Sequence, residues 1–181
     1  MVMIKLISPS LSYEAQIKEF RAEFLANNDN MDGTSFLSQY EDVHQWLRSV
    51  EANSHHETVA EGLVVASQWL AVRESDDRLV GMLSVRHTLN EYLSQFGGHI
   101  GYSVRSSERN QGYAKEMLKL SLAVAQSIGL EKVLVTCDKD NQASAKVIQA
   151  NGGVFESELL EEGQPVQRYW ITLPQTDSSG V

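Results

Sequence analysis

The stretch Gly101-Tyr-Ser-Val-Arg-Ser-Ser-Glu-Arg-Asn-Gln-Gly112-Tyr-Ala114-Lys-Glu-Met-Leu118 constrains the fold of this chain more than any other. A short apolar strand runs into a polar turn, and Arg109-x-x-Gly112-x-Ala114 then opens an amphipathic helix. Unpaired backbone N–H groups, the positive end of a helix dipole and a glycine meet at that point, an arrangement that attracts a diphosphate. The missing Cβ at Gly112 lets a ligand come close to the main chain. G-x-G-x-x-G and its following acidic residue are absent, which excludes a dinucleotide fingerprint. No Gly-Lys-Ser/Thr follows, which excludes a phosphate-binding loop of the NTPase kind.

The rest of the chain supplies a scaffold for that turn. Val2–Ile7 reads as a strand. Ala15, Ile17, Phe20, Phe24 and Leu25 recur at helical spacing after Leu11, and Phe36 to Val50 carries a second helical stripe. Between them the run Asn27-Asn-Asp-Asn-Met-Asp-Gly33 is a turn, and 53–62 reads as a polar loop. Gln68–Arg73 and Leu79–Arg86 are apolar runs around Glu74-Ser-Asp-Asp77, a hairpin signal. A helical turn is expected near Leu89–Gln95, before the strand His99–Val104. Met117, Leu118, Ser121, Ala125 and Ile128 then line one helix face, stopped by Gly129. Lys132–Cys137 is a buried-strand candidate, Asn141–Asn151 a helix closed by Gly152-Gly153, and Val154–Leu160 with Gln167–Leu173 a closing pair of strands. The order implies an α/β (α+β) protein: one domain over 1–173 and a flexible tail over 174–181.

Composition narrows the class. The 181 residues are 42% hydrophobic and 22% charged, as in a soluble globular domain. No run approaches the ~20 apolar residues of a membrane span, and the N-terminus has no signal-peptide pattern. The single cysteine, Cys137, allows no internal disulfide, so a reducing cytoplasm is expected. A net charge of −9 argues against nucleic acid or an anionic membrane as partner and suits an amine-bearing substrate.

Arg109-x-x-Gly112-x-Ala114 in its strand–turn–helix setting resembles motif A of the GNAT N-acetyltransferase superfamily. Cys137-Asp-Lys-Asp-Asn141-Gln-Ala-Ser144-Ala-Lys-Val-Ile148-Gln-Ala-Asn-Gly152 resembles its motif B. The segments Arg86–Leu93 and Gly97–Val104 are similar to a subgroup of bacterial acetyltransferases. The resemblance is closest over 79–173. It implies the GNAT acyl-CoA N-acyltransferase fold, with a central mixed, mostly antiparallel sheet flanked by helices.

It further implies acetyl-CoA as co-substrate and no metal. Arg109, Asn110, Gln111, Gly112, Tyr113 and Ala114 would hold the pyrophosphate. The main chain of Tyr102, Ser103 and Val104 would pair with the pantetheine arm, between strands that splay apart. Asn141 and Ser144 would meet the remaining cofactor arm; Asn141 also suits a helix cap. Many members carry a Tyr seven residues after this Asn to protonate the leaving thiolate. Ile148 stands there, so Tyr102, Tyr113, Tyr169 or water serves, or the thiolate leaves unassisted. The position of a strand-borne Glu base in some relatives is Gly98.

Candidate bases are therefore His87, at a strand end, and Glu61, on the loop beside the acceptor groove. For His87 a purely structural reading stands equally. Glu57 shares the loop with Glu61, His99 reads first as structural, and Cys137 as a buried, inert thiol. The function implied is transfer of acetyl to a primary amine of a small molecule or peptide by direct attack in a ternary complex. The alternative, suggested by Ile148 and Gly98, is a catalytically silent acyl-CoA-binding or regulatory module. Exposed sheet edges leave room for a homodimer.

Overall fold

In the computed structural model, which describes residues 3–175, the elements run β1 (Ile4–Ile7), α1 (Glu14–Ala26), α2 (Val43–Ala52), β2 (Ala66–Arg73), β3 (Arg78–Arg86), β4 (Ile100–Val104), α3 (Tyr113–Ser127), β5 (Lys132–Asp138), α4 (Gln142–Ala150), β6 (Val154–Glu161) and β7 (Gln164–Thr172). The apolar runs around Glu74–Asp77 form the β2/β3 hairpin, with Asp77 in the left-handed conformation (φ 57°) at its turn. Both faces of this hairpin are covered. Phe20, Phe24 and Trp46 of α1 and α2 pack on Leu70, Val72 and Met82; Tyr113, Met117 and Ile148 of α3 and α4 pack with Leu83, Val85 and Val133. Two-sided burial explains why β2 and β3 read as nearly continuous apolar runs instead of alternating ones.

The strands make two antiparallel sheets, β1-β2-β3-β4 and β5-β7-β6. The sheet expected from the sequence is thus divided: among the described residues no ladder joins β4 to β5. The two sheets touch just before β4. The His99 N–H donates to the Leu134 carbonyl at 2.8 Å, and the Leu134 N–H donates to His99 Nδ1 at 2.9 Å. An imidazole nitrogen here replaces a strand carbonyl, which requires a neutral ring. Burial, helped by the nearby Arg86 charge, pushes the His99 pKa down to about 4, so the ring is neutral. At Gly98 (φ 69°) a Cβ would lie 2.5 Å from the Leu134 carbonyl oxygen, so only glycine lets the sheets meet.

Helix α2 starts later than its apolar stripe suggests. Ser35 and Phe36 are left-handed (φ 52° and 62°), and Leu37–Gln39 is a 3₁₀ turn. The helix begins where Asp42 caps it, accepting from the His44 N–H at 2.9 Å. The turn from β4 to α3 is held by ion pairs. Arg105, 2% exposed, reaches Glu19 (2.8 Å) and Glu23 (2.6 Å) on α1. Glu108 accepts from Arg73 (2.8 Å) and Arg78 (2.6 Å), and Arg73 also donates to the Tyr113 hydroxyl at 3.1 Å.

The outer strands are β1 and β6, and β6 exposes Val154, Phe155 and Leu160. Among the described residues no helix is long and apolar enough to cross a membrane. The expected start of β1 at Val2, and the expected tail beyond Gln175, lie outside the described residues.

Candidate active site

Between the parted β4 and β5 lies a cleft of about 1000 Å³. Tyr102, Ser103, Val104, Arg109, Asn110, Gly112, Tyr113, Ala114, Asn141 and Ser144 all border it. Gln111 does not; its amide donates to Glu108 at 3.3 Å. The backbone at this end is poorly satisfied by the protein itself. Gly112 (φ 84°) stands at the N-cap of α3 and no side chain caps that helix, so its first N–H groups are without intrahelical acceptors. The pairing of β4 with β3 is equally telling. His99 accepts from the Arg86 N–H and the Arg105 N–H donates to Val80, so the odd-numbered residues bond to β3. Tyr102 and Val104 then turn their N–H and C=O groups to the open edge.

Arg109 is ordered beside them: Nε donates to the Val104 carbonyl at 2.9 Å, and Nη2 lies 3.2 Å from Asp29. At the start of α4 the Asn141 side chain accepts from the Ser144 N–H at 3.1 Å. The Ser144 hydroxyl in turn meets the Tyr102 hydroxyl at 2.7 Å. Burial raises the Tyr102 pKa to about 12; Ser144 acts in the opposite direction, and nearby Cys137 and Asp32 add to the rise. Tyr102 is therefore a protonated phenol at neutral pH. Ile148 is fully buried in the core. Cys137 borders the cleft, and burial with the Asp138 charge pushes its thiol up to about 11, so it is not a nucleophilic thiolate at neutral pH.

A family model described as an acetyltransferase (GNAT) domain matches residues 13–154. The chain belongs to the GNAT acetyltransferases. No curated protein matches it by sequence. Solved GNAT structures share its fold at low identity. RimL, a ribosomal-protein α-N-acetyltransferase in complex with coenzyme A, is 17% identical, with 96% of each chain covered and a TM-score of 0.69. A ribosomal-protein alanine acetyltransferase from Vibrio fischeri is 15% identical over 93% of this chain and 92% of that one, with a TM-score of 0.69. A chimera of the spermidine N-acetyltransferase SpeG, from Vibrio cholerae and hSSAT, is 17% identical over 93% and 95%, with a TM-score of 0.64.

In this GNAT domain the two candidate bases lie away from the cleft. Arg86 closes β3 and borders the cleft, so the next residue, His87, faces the other way. The His87 ring meets the Ser67 hydroxyl at 2.7 Å, and burial lowers its pKa, with His56 adding to the effect. Glu61 is exposed on the loop and does not border the cleft. The cleft is bordered instead by Asp32, Asp138, Glu161 and Glu162, with Arg86 close enough to Asp32 to act on its charge. Sequence reasoning missed these groups. Each sits in a turn or at a strand end, where an isolated carboxylate looks like any solvated charge. Among the described residues no group of three or more His, Cys, Asp or Glu is arranged to hold a metal ion.

Proposed function

We propose that this chain is an acetyl-CoA-dependent N-acetyltransferase acting on a primary amine of a small molecule or peptide, by direct attack in a ternary complex. The observation that carries the reading is the open edge of β4 running to the uncapped, glycine-led start of α3 within one cleft. The pantetheine arm would add as a strand to Tyr102 and Val104. The pyrophosphate would lie at the α3 N-terminus, beside Arg109, Asn110 and Gly112–Ala114. Asn141 and Ser144 would border the arm from α4.

The backbone N–H groups of β4 would polarise the thioester carbonyl and stabilise the tetrahedral oxyanion. With Ile148 in the core, the Tyr102–Ser144 hydroxyl pair is the proton donor we assign to the departing thiolate. The carboxylates that border the cleft suit a cationic amine on its way in, consistent with the net charge of −9.

Calorimetry with acetyl-CoA, beside an amine screen read by mass spectrometry of the acetylated product, tests the assignment. Micromolar binding with an acetylated amine is expected. Binding without any product would leave the silent acyl-CoA-binding module, and no binding would overturn the reading of the cleft.

A further inference from the structure

One carboxylate that borders the cleft lies outside the residues assigned above to the cofactor. Asp32 lies on the loop between α1 and α2 and borders the cleft. Its position is fixed by its neighbour. Gly33 (φ 70°) packs so closely on the Gly101–Tyr102 peptide of β4 that a Cβ would lie 2.2 Å from the Gly101 oxygen and 2.7 Å from the Tyr102 nitrogen. The loop is also tied from two other elements. Gln68 of β2 donates to the Gly33 carbonyl at 2.8 Å and accepts from the Ser35 hydroxyl at 2.6 Å. Trp46 of α2 donates to the Thr34 carbonyl at 2.8 Å. Two successive left-handed non-glycine residues, Ser35 and Phe36, follow, a strain that persists only where the surroundings over-determine it. The loop that carries Asp32 is thus pinned against β4, the strand to which the thioester is assigned.

The groups facing it are Arg86 from β3, Asp138 from β5, Tyr102 from β4 and Tyr92 from the segment before β4. Asp32 is exposed at the border of the cleft, yet the protein around it and the Asp138 charge raise its pKa; Arg86 opposes them without reversing the sign. The Arg86 guanidinium is engaged by the carbonyls of Gly97 (3.1 Å) and Gly98 (3.3 Å), and among the described residues it forms no ion pair. Among the described residues the Asp32 carboxylate makes no hydrogen bond or ion pair, so its oxygens remain available to a ligand.

We propose that Asp32 is the catalytic base of this acetyltransferase: it receives the acceptor's amine and removes a proton from nitrogen as the C–N bond forms. The proposal rests on the transferase reading above. The acceptor arrives as an ammonium ion and loses one proton to water at the open mouth of the cleft. The neutral amine attacks the thioester carbon, and its nitrogen, now acidic, passes a proton to the Asp32 carboxylate. The C–S bond breaks and the thiolate takes a proton from the Tyr102–Ser144 pair, which solvent restores. Asp32 then releases its proton to water. The sum is amide, free coenzyme A and one proton.

With the amine found by the product screen, Asp32→Asn is expected to lower kcat by roughly 10²-fold or more while acetyl-CoA affinity by calorimetry is unchanged, and Asp32→Glu to restore part of the rate. Asp138→Asn is expected to move the acidic limb of the wild-type kcat/KM profile to lower pH, a response that a merely structural Asp32 would not show. A kcat for Asp32→Asn within about threefold of wild type overturns the proposal. A carbon-13 NMR titration of the Asp32 carboxyl provides a readout without turnover, and a midpoint at or below about 4 also overturns it. Wild-type protein that binds acetyl-CoA but acetylates no amine would instead refute the transferase reading, and Asp32's role with it.

Discussion

The apposition of Gly33 and Gly101 makes a quantitative prediction, because a second glycine provides the reference. Gly33 and Gly62 are both left-handed, with φ 70° and 84°, so alanine at either site pays about 1–2 kcal/mol for its backbone. A Cβ at Gly62 would have nothing within 4 Å, whereas at Gly33 it would lie 2.2 Å from a backbone oxygen and 2.4 Å from a backbone carbon. Neither backbone atom can rotate away as a side-chain tip would. Gly33→Ala must therefore push the loop off β4 by close to an ångström, enough to break the 2.8 Å bond from Gln68 to the Gly33 carbonyl. A buried polar group left without its partner costs about 1–3 kcal/mol. Gly33→Ala should lose about 2–5 kcal/mol, against about 1–2 for Gly62→Ala. For a chain of this size the extra loss lowers Tm by about 2–12 °C beyond the Gly62 variant. Urea denaturation and calorimetric melting of the two variants measure the difference. The displaced loop carries Asp32, so acetylation should fall in Gly33→Ala while acetyl-CoA affinity holds. Equal melting temperatures and equal turnover in the two variants would refute the argument that the loop is pinned on β4.

Glu23 should give a stability change confined to acid. Burial raises its carboxyl, but hydrogen bonds from the Ser107 N–H and hydroxyl, the Arg105 guanidinium and the Ser106 hydroxyl outweigh that and hold it at about 2, below the ordinary 4.5. The resulting stability, about 3 kcal/mol, is complete above pH ~4.5 and is lost as the pH falls toward ~2. The gap between wild type and Glu23→Gln in denaturation should therefore shrink by about half or more from pH 6 to pH 3; a constant gap would contradict the assignment. Gly112→Val places a β-branched residue at φ 84° and crowds the assigned pyrophosphate site, so acetyl-CoA affinity should drop by roughly 10-fold or more; affinity near wild type in a folded variant would remove the cofactor from that turn. Tyr102→Phe keeps the ring packing and removes one hydroxyl of the donor pair, so kcat should fall by about 10-fold or more with acetyl-CoA affinity retained. An unchanged kcat there would leave proton delivery to Ser144 or water.

The cofactor end and the acceptor end of this cleft are encoded differently, and that decides what a reader of the sequence can recover. The strand, turn and helix from Ile100 to Ser127 are contiguous, and their chemistry resides in local rules: a left-handed glycine, an uncapped helix start, an edge strand. The Asn141 cap is equally local, its donor, the Ser144 N–H, lying three residues ahead. Hence the border residues from Tyr102 to Ala114, and Asn141 with Ser144, were readable, apart from Gln111, which Glu108 draws aside. The acceptor end has no such continuity. Asp32 matters because Gly33 meets Gly101 and Gln68 reaches across to the same loop, contacts between segments far apart in the chain. His87 does not border the cleft, and a single residue of strand parity accounts for it. With β3 ending at Arg86, the guanidinium turns to the cleft and the imidazole away, and a shift of one residue would reverse them. Composition cannot supply that parity, nor say that three separated segments bring Asp32, Asp138 and the Glu161–Glu162 turn to one cleft. What a GNAT domain binds in common therefore lies in short contiguous motifs, while what this chain acetylates is specified by contacts that exist only after folding. The Gly33→Ala and Asp32→Asn variants address that second layer, because each changes the acceptor end and leaves the turn at Gly112 untouched.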